Sequence, residues 1–336
     1  MKNWIHDNEN DIILSSKVKL YRNLKNLSFP NKLNSIVAIE KSRSIYDTLV
    51  KKIEDENLKL YEVWNGDKGF YNEYTERYLG NKGILKNPDK VSVIINEDET
   101  INIVMNNTNH IEIECGSSGL SIQEVFESAM NLDNKIEESF GYAYDDELGY
   151  LTSCLDIVGT AMKASIIVDL PALNMSSEIK NISKNLEDEG FEMMSIYKKD
   201  NKSFGSMYEI INKTTLGLSE EDIINNLEKV VLRIITKEKE LREIMMSKCR
   251  IEIEDKVFRA YAILKNARIL DFKETIELLS HVRLGCELSL LDIEKSKINQ
   301  IQVVVGDNYL QNYFEKKLDL KEIKYERAKL VKKILN

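Results

Sequence analysis

The order of its elements predicts an α/β (α+β) chain: a mixed domain over residues 1–245, then a helical domain over residues 246–336. Three observations carry this. Short apolar runs with strand-like alternation recur between Val91 and Asn212. Helix-spaced apolar stripes with start signals lie between and around them. From Glu252 onward the stripes are helical almost without a break. A length of 336 residues has room for two domains. The boundary near 245 lacks a Gly/Pro-rich linker.

Taken in order, Ser35 to Leu58 holds apolar positions at helical spacing and predicts a helix. Val91 to Ile95 and Ile101 to Met105 read as short strands. Ile111 to Glu114 alternates apolar and acidic, as a half-exposed strand would. Ser121-Ile122-Gln123-Glu124 has the form of a capping box and opens a helix to about Phe140. Phe191 to Tyr197 and Ser206 to Asn212 predict two strands joined by the polar loop Lys198 to Phe204. Ser219 to Asp222 is a second helix start, running to about Met246. Val257 to Asn266, Lys273 to Leu291 and Lys321 to Leu335 each carry an apolar stripe.

Composition narrows the function classes. Hydrophobic residues at 43% and charged residues at 31% suit a buried core with a solvated surface. Only 3 prolines and 14 glycines exclude a collagen-like or linker-like chain. A net charge of -9 disfavours nucleic acid and anionic membranes as partners. No apolar run approaches the roughly 20 residues that span a bilayer. Met1 to Asn10 lacks the pattern of a signal peptide, and the expected location is cytoplasmic. The cysteines, Cys115, Cys154, Cys249 and Cys286, form no CxxC pair, so neither a disulfide framework nor a metal site is expected. Basic residues are mostly lysine, and no arginine lies between Arg77 and Arg233. Lysine replaces arginine where a plain positive charge suffices, but not where a planar, forked donor is needed.

Several separated motifs, in order, carry a resemblance. Asp11-Ile12-Ile13-Leu14-Ser15-Ser16-Lys17-Val18-Lys19-Leu20 resembles the S-S-R-[IV]-R segment of the ATP:guanido phosphotransferases (phosphagen kinases). Leu148-Gly149-Tyr150-Leu151-Thr152-Ser153-Cys154, continuing to Val158-Gly159-Thr160, resembles their G-Y-L-T-S-C-P-x-N-x-G-T-G signature. Ala164-Ser165 followed by Leu170-Pro171-Ala172-Leu173 is similar to R-A-S-V…L-P-A-L, and Thr215-Leu216-Gly217 and Val282-Arg283-Leu284-Gly285 also match. The combination is most like the bacterial protein arginine kinases of that family. The resemblance implies an antiparallel sheet flanked by helices and a kinase moving the γ-phosphate of ATP, with Mg2+, onto protein arginine. It also implies a C-terminal domain that dimerises and recognises phosphoarginine, and partners among protein clients or Clp-type quality-control machinery in the stress response. By the same resemblance, Ser15 to Lys19, Tyr78, Glu112, Lys163 to Ile167 and Met194 fall at nucleotide-binding positions. Within those spans this includes Ser16, Lys17, Val18, Ala164, Ser165 and Ile166. Asn107, Lys199 and Cys154 fall at catalytic positions, and Arg327 at the phosphoarginine position.

The departures fall on the chemistry. Lys17 and Lys19 stand for the two arginines of S-S-R-x-R, and Lys163 for the arginine before A-S-V. The family's N-E-E-D-H-[IL]-R matches Asn106-Asn107-Thr108-Asn109-His110-Ile111-Glu112, which puts Asn107 at the catalytic glutamate and Glu112 at a phosphate-binding arginine. Met194 takes another arginine position, Lys199 the loop glutamate and Tyr78 a nucleotide-side histidine. Leu155 and Ile157 replace the proline and asparagine of C-P-x-N. Lysine keeps charge and loses the fork. Glu112 sets like charge against a triphosphate, roughly 4 kcal/mol per pair at about 4 Å and an effective dielectric near 20. Asn107 cannot accept a proton at neutral pH. In the C-terminal R-D-x-x-R-A motif, only Arg327 and Ala328 of Ile323-Lys324-Tyr325-Glu326-Arg327-Ala328 remain.

Plainer readings stand beside these. Glu112 and Glu114 fit solvated strand positions, and Lys198, Lys199 and Lys202 an exposed loop. Cys154 fits a packed small residue. His110 and His281 fit surface or capping histidines, and Asp145, Asp146 and Glu147 an acidic turn. Asn96-Glu97-Asp98-Glu99 is a second acidic patch that could take the N-E-E-D alignment. The Arg327 segment also fits an amphipathic helix. Two functions follow: a catalytically impaired relative acting as a regulatory or scaffolding partner, paired with an active kinase or itself, or a working protein arginine kinase with a lysine-rich ATP clamp.

Overall fold

A computed structural model describes residues 12–53, 57–65, 87–200 and 202–336. At its centre is an eight-stranded sheet in the order β2-β3-β4-β5-β1-β8-β12-β9, every pairing antiparallel. The strands are β1 (Ile13–Arg22), β2 (Lys59–Glu62), β3 (Ser92–Ile95), β4 (Ile101–Met105), β5 (Ile111–Ser118), β8 (Met162–Asp169), β9 (Phe191–Ser195) and β12 (Met207–Asn212). Two small hairpins stand apart from it, β6 (Tyr144–Asp145) with β7 (Gly149–Tyr150), and β10 (Lys198–Lys199) with β11 (Lys202–Ser203).

Strand alternation gives the sheet two unlike faces. Val18, Leu20, Ile113, Ala164, Ile166 and Ile210 turn into one core. Helices α1 (Ser35–Lys52), α2 (Ile122–Phe140) and α5 (Glu220–Lys248) supply the rest of it, with α4 (Ile179–Asp188) over β9. The short α3 (Pro171–Met175) explains the Leu-Pro-Ala-Leu motif. Proline sits in its first turn, and Glu238 of α5 accepts from the N–H groups of Ala172 at 3.0 Å and Leu173 at 2.9 Å.

The last helices are α6 (Arg250–Asn266), α7 (Phe272–Glu287), α8 (Lys295–Val304), α9 (Asp307–Tyr313) and α10 (Leu320–Leu335). They do not pack only among themselves. Ala260, Leu264, Ile276, Leu279, Ile298 and Val331 share a core with Leu14, Ile167, Ile196, Tyr197, Phe204 and Met207. Buried polar groups brace the same junction. Arg283 lies 3.4 Å from Asp169 and donates to Asn299 at 2.6 Å and Gln302 at 3.2 Å, and Gln302 donates to the Tyr197 hydroxyl at 3.2 Å.

The neighbouring Gly285 has a separate reason. A Cβ there would come within 2.3 Å of Val257 Cγ1, a stiff β-branched side chain on α6. Gly285→Ala is therefore expected to cost about 1–3 kcal/mol by overpacking, read as a lower urea midpoint with an unchanged slope.

Several expectations need correction. The strand at 111 runs on to Ser118, and Ile111 to Cys115 are buried on both faces. The first helix ends at Lys52 rather than Leu58. Ser121 makes no cap hydrogen bond: its hydroxyl donates to Ser118 O at 3.1 Å, and its N–H donates to Ser16 Oγ at 3.0 Å. The capping box at Ser219 and Asp222 does form. The polar loop after Tyr197 contains the β10–β11 hairpin.

Candidate functional site

The sheet face opposite the α1–α2–α5 core carries the charged positions. In register across it lie Glu114, Lys19 and Lys163; then Gly116, Lys17, Ser165, Ile211 and Glu192; then Ser118, Ser15, Ile167, Glu209 and Met194. Glu112 is opposite Tyr21 in the adjoining row. Two-residue periodicity thus brings Lys17, Lys19, Glu112, Lys163, Ser165 and Met194 onto one surface.

Glu112 is the centre of a closed polar cluster. It is only 4% exposed, not a solvated strand residue. Lys19 Nζ lies 3.1 Å from Glu112 and 3.8 Å from Glu114. Asn107 Nδ2 donates to Glu112 at 3.4 Å and the Thr108 N–H at 3.2 Å. The glutamate therefore meets an ammonium across the strands and donors from the preceding turn. Tyr21, under the Lys19 ammonium at 5.4 Å, has its phenol pushed up to about 12 by burial. Lys163 Nζ donates to the carbonyls of Asn212 at 2.8 Å and Lys213 at 2.9 Å, and burial lowers its pKa.

The Cys154 segment is held from two sides. Asn109 Oδ1 accepts from the Ser153 N–H at 2.8 Å and from Asn23 Nδ2 at 2.8 Å. His110, far from being a surface residue, is 2% exposed. Its Nδ1 accepts from the Leu24 N–H at 3.1 Å and its Nε2 faces Ser28 O at 2.9 Å. That fixes the neutral tautomer with the proton on Nε2, and burial brings its pKa down to about 4. Cys154 itself is exposed, with Sγ 3.7 Å from Asp156 Oδ2, so the packed-residue reading fails. Gly149 and Gly159 make the segment possible. A Cβ on Gly149 would sit 2.4 Å from Gly159 O, one on Gly159 2.2 Å from Thr215 O, and both residues have positive φ.

Other sequence candidates fall elsewhere. Val18, Ala164 and Ile166 turn into the α1–α2–α5 core, so their side chains cannot reach the charged face. Ile167 packs against the helical domain. Ser16 donates to Gly119 O at 2.8 Å and anchors the end of β5. Lys199 lies in β10, opposite Lys202. Tyr78 lies outside the described residues. Arg327, on α10, is buried: it donates to Val305 O at 2.7 Å and Leu270 O at 2.9 Å and pairs with Asp307, and Lys324 pairs with Asp271 at 2.8 Å.

The family model for the ATP:guanido phosphotransferase C-terminal catalytic domain matches residues 40–241, and that for the protein-arginine kinase McsB C-terminal domain matches residues 250–336. The chain belongs to the ATP:guanido phosphotransferase family. A protein-arginine kinase of Clostridium botulinum (strain Eklund 17B / Type B) is 46% identical over 337 residues, covering 100% of this chain and 99% of that one. A protein-arginine kinase of Clostridium tetani (strain Massachusetts / E88) is 39% identical over 340 residues, covering 100% and 99%. Among solved structures, a lombricine kinase superposes with a TM-score of 0.60 at 20% identity, covering 70% of this chain and 69% of that one. The fold expectation, an antiparallel sheet flanked by helices with a helical C-terminal region, is met.

The charged face can be tested against the nucleotide that this guanido phosphotransferase family implies. Its lysines are committed within the protein: Lys19 to Glu112 and Glu114, Lys163 to two carbonyls. Among the described residues the strands present no arginine on that face, and Glu112, Glu114, Glu192 and Glu209 share it. This set does not fit a triphosphate, which needs converging, uncommitted donors.

Sequence reasoning missed Arg22. It is wholly buried, pairs with Asp133 at 2.8 Å, donates to Tyr21 O at 3.0 Å and Thr160 O at 3.2 Å, and stacks over Tyr150 at 3.5 Å. The signal was present: an arginine on the apolar face of a strand, in a chain that spends lysine wherever it can. Arg242, on α5, was missed too and is likewise buried in a polar network.

Proposed function

We propose that this family member has weak or absent phosphoryl transfer and acts as a regulatory or scaffolding partner, a pseudokinase that pairs with an active arginine kinase or with itself in protein quality control. The observation that carries the reading is the Lys19–Glu112 ion pair at 3.1 Å, which joins two positions that the family's motifs give to phosphate-binding arginines. An ammonium neutralised in place has little left to offer a phosphate, and displacing the glutamate would leave a buried carboxylate without its partner. Asn107, beside the pair, supplies no base.

A second reading is favoured by the full-length relatives called protein-arginine kinase. In it Lys17, Lys19 and Lys163 hold the phosphates of Mg-ATP after local rearrangement.

Titration with Mg-ATP separates the two. A functional site raises the melting temperature with ligand occupancy, and the first reading expects no shift at millimolar concentration. Phosphoarginine formed on a model protein would reject it. The combined variant Asn107→Glu, Glu112→Arg, Met194→Arg is expected to raise Mg-ATP affinity by about tenfold or more, since each new charge-assisted contact is worth about 1.4 kcal/mol or better. No gain in the same thermal titration would sink this account of the loss.

A further inference from the structure

The helical domain meets the sheet through a charged cluster that does not balance. Glu238 and Arg242 of α5, Asp169 at the end of β8, and Arg283 and Glu287 of α7 meet there with their side chains buried. Three carboxylates face two guanidinium groups. Glu238 is well served, by Arg242 at 2.7 Å and by two N–H groups of α3. Asp169 accepts from the Ser206 hydroxyl and lies 3.4 Å from Arg283. Glu287 pairs with the Arg242 that Glu238 already shares, and neither of its oxygens receives a well-formed hydrogen bond from the protein. The other neighbours add no cation. From α8 come only the neutral amides of Asn299 and Gln302. Cys286 has its thiol pushed up to about 11 by burial, and Asp292 beside it is acidic. His281 on α7 has its pKa lowered by burial, and Lys256 and Glu277 act on it rather than on Glu287. A dry site holds this surplus of carboxylates only if one keeps a proton. Glu287 has the fewest donors, and burial pushes its pKa up to about 8.

The same helices grip the β10–β11 hairpin. Gln302 of α8, held by Arg283 at 3.2 Å, donates to the Tyr197 hydroxyl at 3.2 Å. Tyr197 and Phe204, on either side of the hairpin, stack at 5.7 Å, and Phe272 of α7 meets them edge-on at 5.7 and 6.2 Å. Gly205 runs against α7, where a Cβ would come within 2.9 Å of Ile276 Cγ2. The strand before the hairpin, β9, carries Met194 of the charged face. A shift of α7 away from the sheet therefore frees the hairpin and reaches the end of that face.

We propose that this junction is a proton-held clasp: with Glu287 neutral the helical domain grips the β10–β11 hairpin, and with Glu287 ionised it lets the hairpin go. The sign follows from where the proton sits. In the closed state Glu287 titrates near 8, and released into water it titrates near 4.5. Closure is therefore fully supported below about 4.5, and that support is lost as pH rises to about 8. Each pH unit in between favours release about tenfold. The apolar contacts of Leu14, Ile167 and Met207 with Ile276, Leu279 and Ile298 do not titrate, so release is local rather than a parting of the domains. The clasp needs neither nucleotide nor phosphoryl transfer, and it stands whichever reading of the charged face holds.

Native-state hydrogen exchange of the full chain, read by mass spectrometry between about pH 5.5 and 8.5 in low urea, tests this. After correction for intrinsic exchange, protection of amides in 197–204 and in α7 is expected to fall about tenfold per pH unit up to about 8 and to level off above it. These amides are expected to open with a much weaker urea dependence than those of β1 and α2, the mark of local opening. Glu287→Gln, which keeps the shape of the neutral acid, is expected to hold protection flat across the range. Glu238→Gln leaves two carboxylates against two arginines and is expected to move the fall to lower pH, a second measure should the Glu287 variant fail to fold. Exchange of the hairpin and α7 only through global unfolding, with the urea dependence of β1, would overturn the proposal. So would a pH-independent wild type, a wild-type slope in Glu287→Gln, or a hairpin that stays protected while α7 opens.

Discussion

Arg22→Met is expected to destabilise the protein by about 3–5 kcal/mol, the range for removing one partner of a buried ion pair. The guanidinium is fully enclosed and holds Asp133, the carbonyls of Tyr21 and Thr160, and the face of Tyr150. Substitution leaves the Asp133 carboxylate buried without its cation, and burial already raises its pKa. Arg22→Lys is expected to recover only part of the loss, because one ammonium cannot meet a carboxylate, two carbonyls and a ring in different directions. Urea denaturation measures both, and a cost under about 1 kcal/mol for Arg22→Met would show that the network does not bear on folding. The loss also reaches the Cys154 segment, which Tyr150 and Thr160 flank.

The second large effect is on pH dependence. Glu287 of α7 is buried, mainly against Arg242 of α5, and burial pushes its pKa up to about 8. Glu238 on α5, Arg283 on α7 and Asp169 at the end of β8 complete the cluster, three carboxylates against two arginines. The folded protein keeps a proton that the unfolded chain releases near pH 4.5. Raising pH from about 4.5 to 8 therefore favours unfolding, by about 1.4 kcal/mol per pH unit from this group. Glu287→Gln removes the titration, so its stability relative to wild type should climb with pH across that window and level off above it. Parallel pH profiles for the two proteins, from urea midpoints between pH 5 and 8.5, would reject the assignment. His110 acts with the opposite sign. Its contribution is present above about pH 6.5 and lost as pH falls towards 4, so it is common to both proteins and cancels in the comparison.

Much of the fold was legible because amphipathic helices and capped starts write their period into the sequence. The helices at 220–248, 250–266, 272–287 and 320–335 and the strands at 92–95, 101–105 and 207–212 follow the pattern, while α8 and α9 are not among the expected helices. Of the two central strands, β1 alternates only over the short stretch Lys17 to Leu20, and β8 shows no alternation because it is largely buried on both faces. Their motifs, not their periodicity, mark them. At the site, residue types showed which groups had changed, but not that two changes answer each other. Glu112 looks hostile to phosphate as an isolated letter, and only the register of β1 with β5 reveals Lys19 beside it. The apolar surroundings of Arg22 and Arg283 likewise become visible as networks only when strands and helices far apart in the chain converge.

The Lys19–Glu112 contact has a consequence for the order in which mutations can accumulate. Glu112→Arg alone would seat a guanidinium against the Lys19 ammonium, a repulsion of roughly 4 kcal/mol at about 4 Å and an effective dielectric near 20. Lys19→Arg alone would tighten the grip on the glutamate. Each single step is thus uphill or inert while no anion is bound, and Lys19→Arg beside Glu112→Arg keeps two positive charges together until a phosphate lies between them. The ion pair works as a latch: with no anion bound, each position holds the other in its present charge state, so a change at either is felt at both.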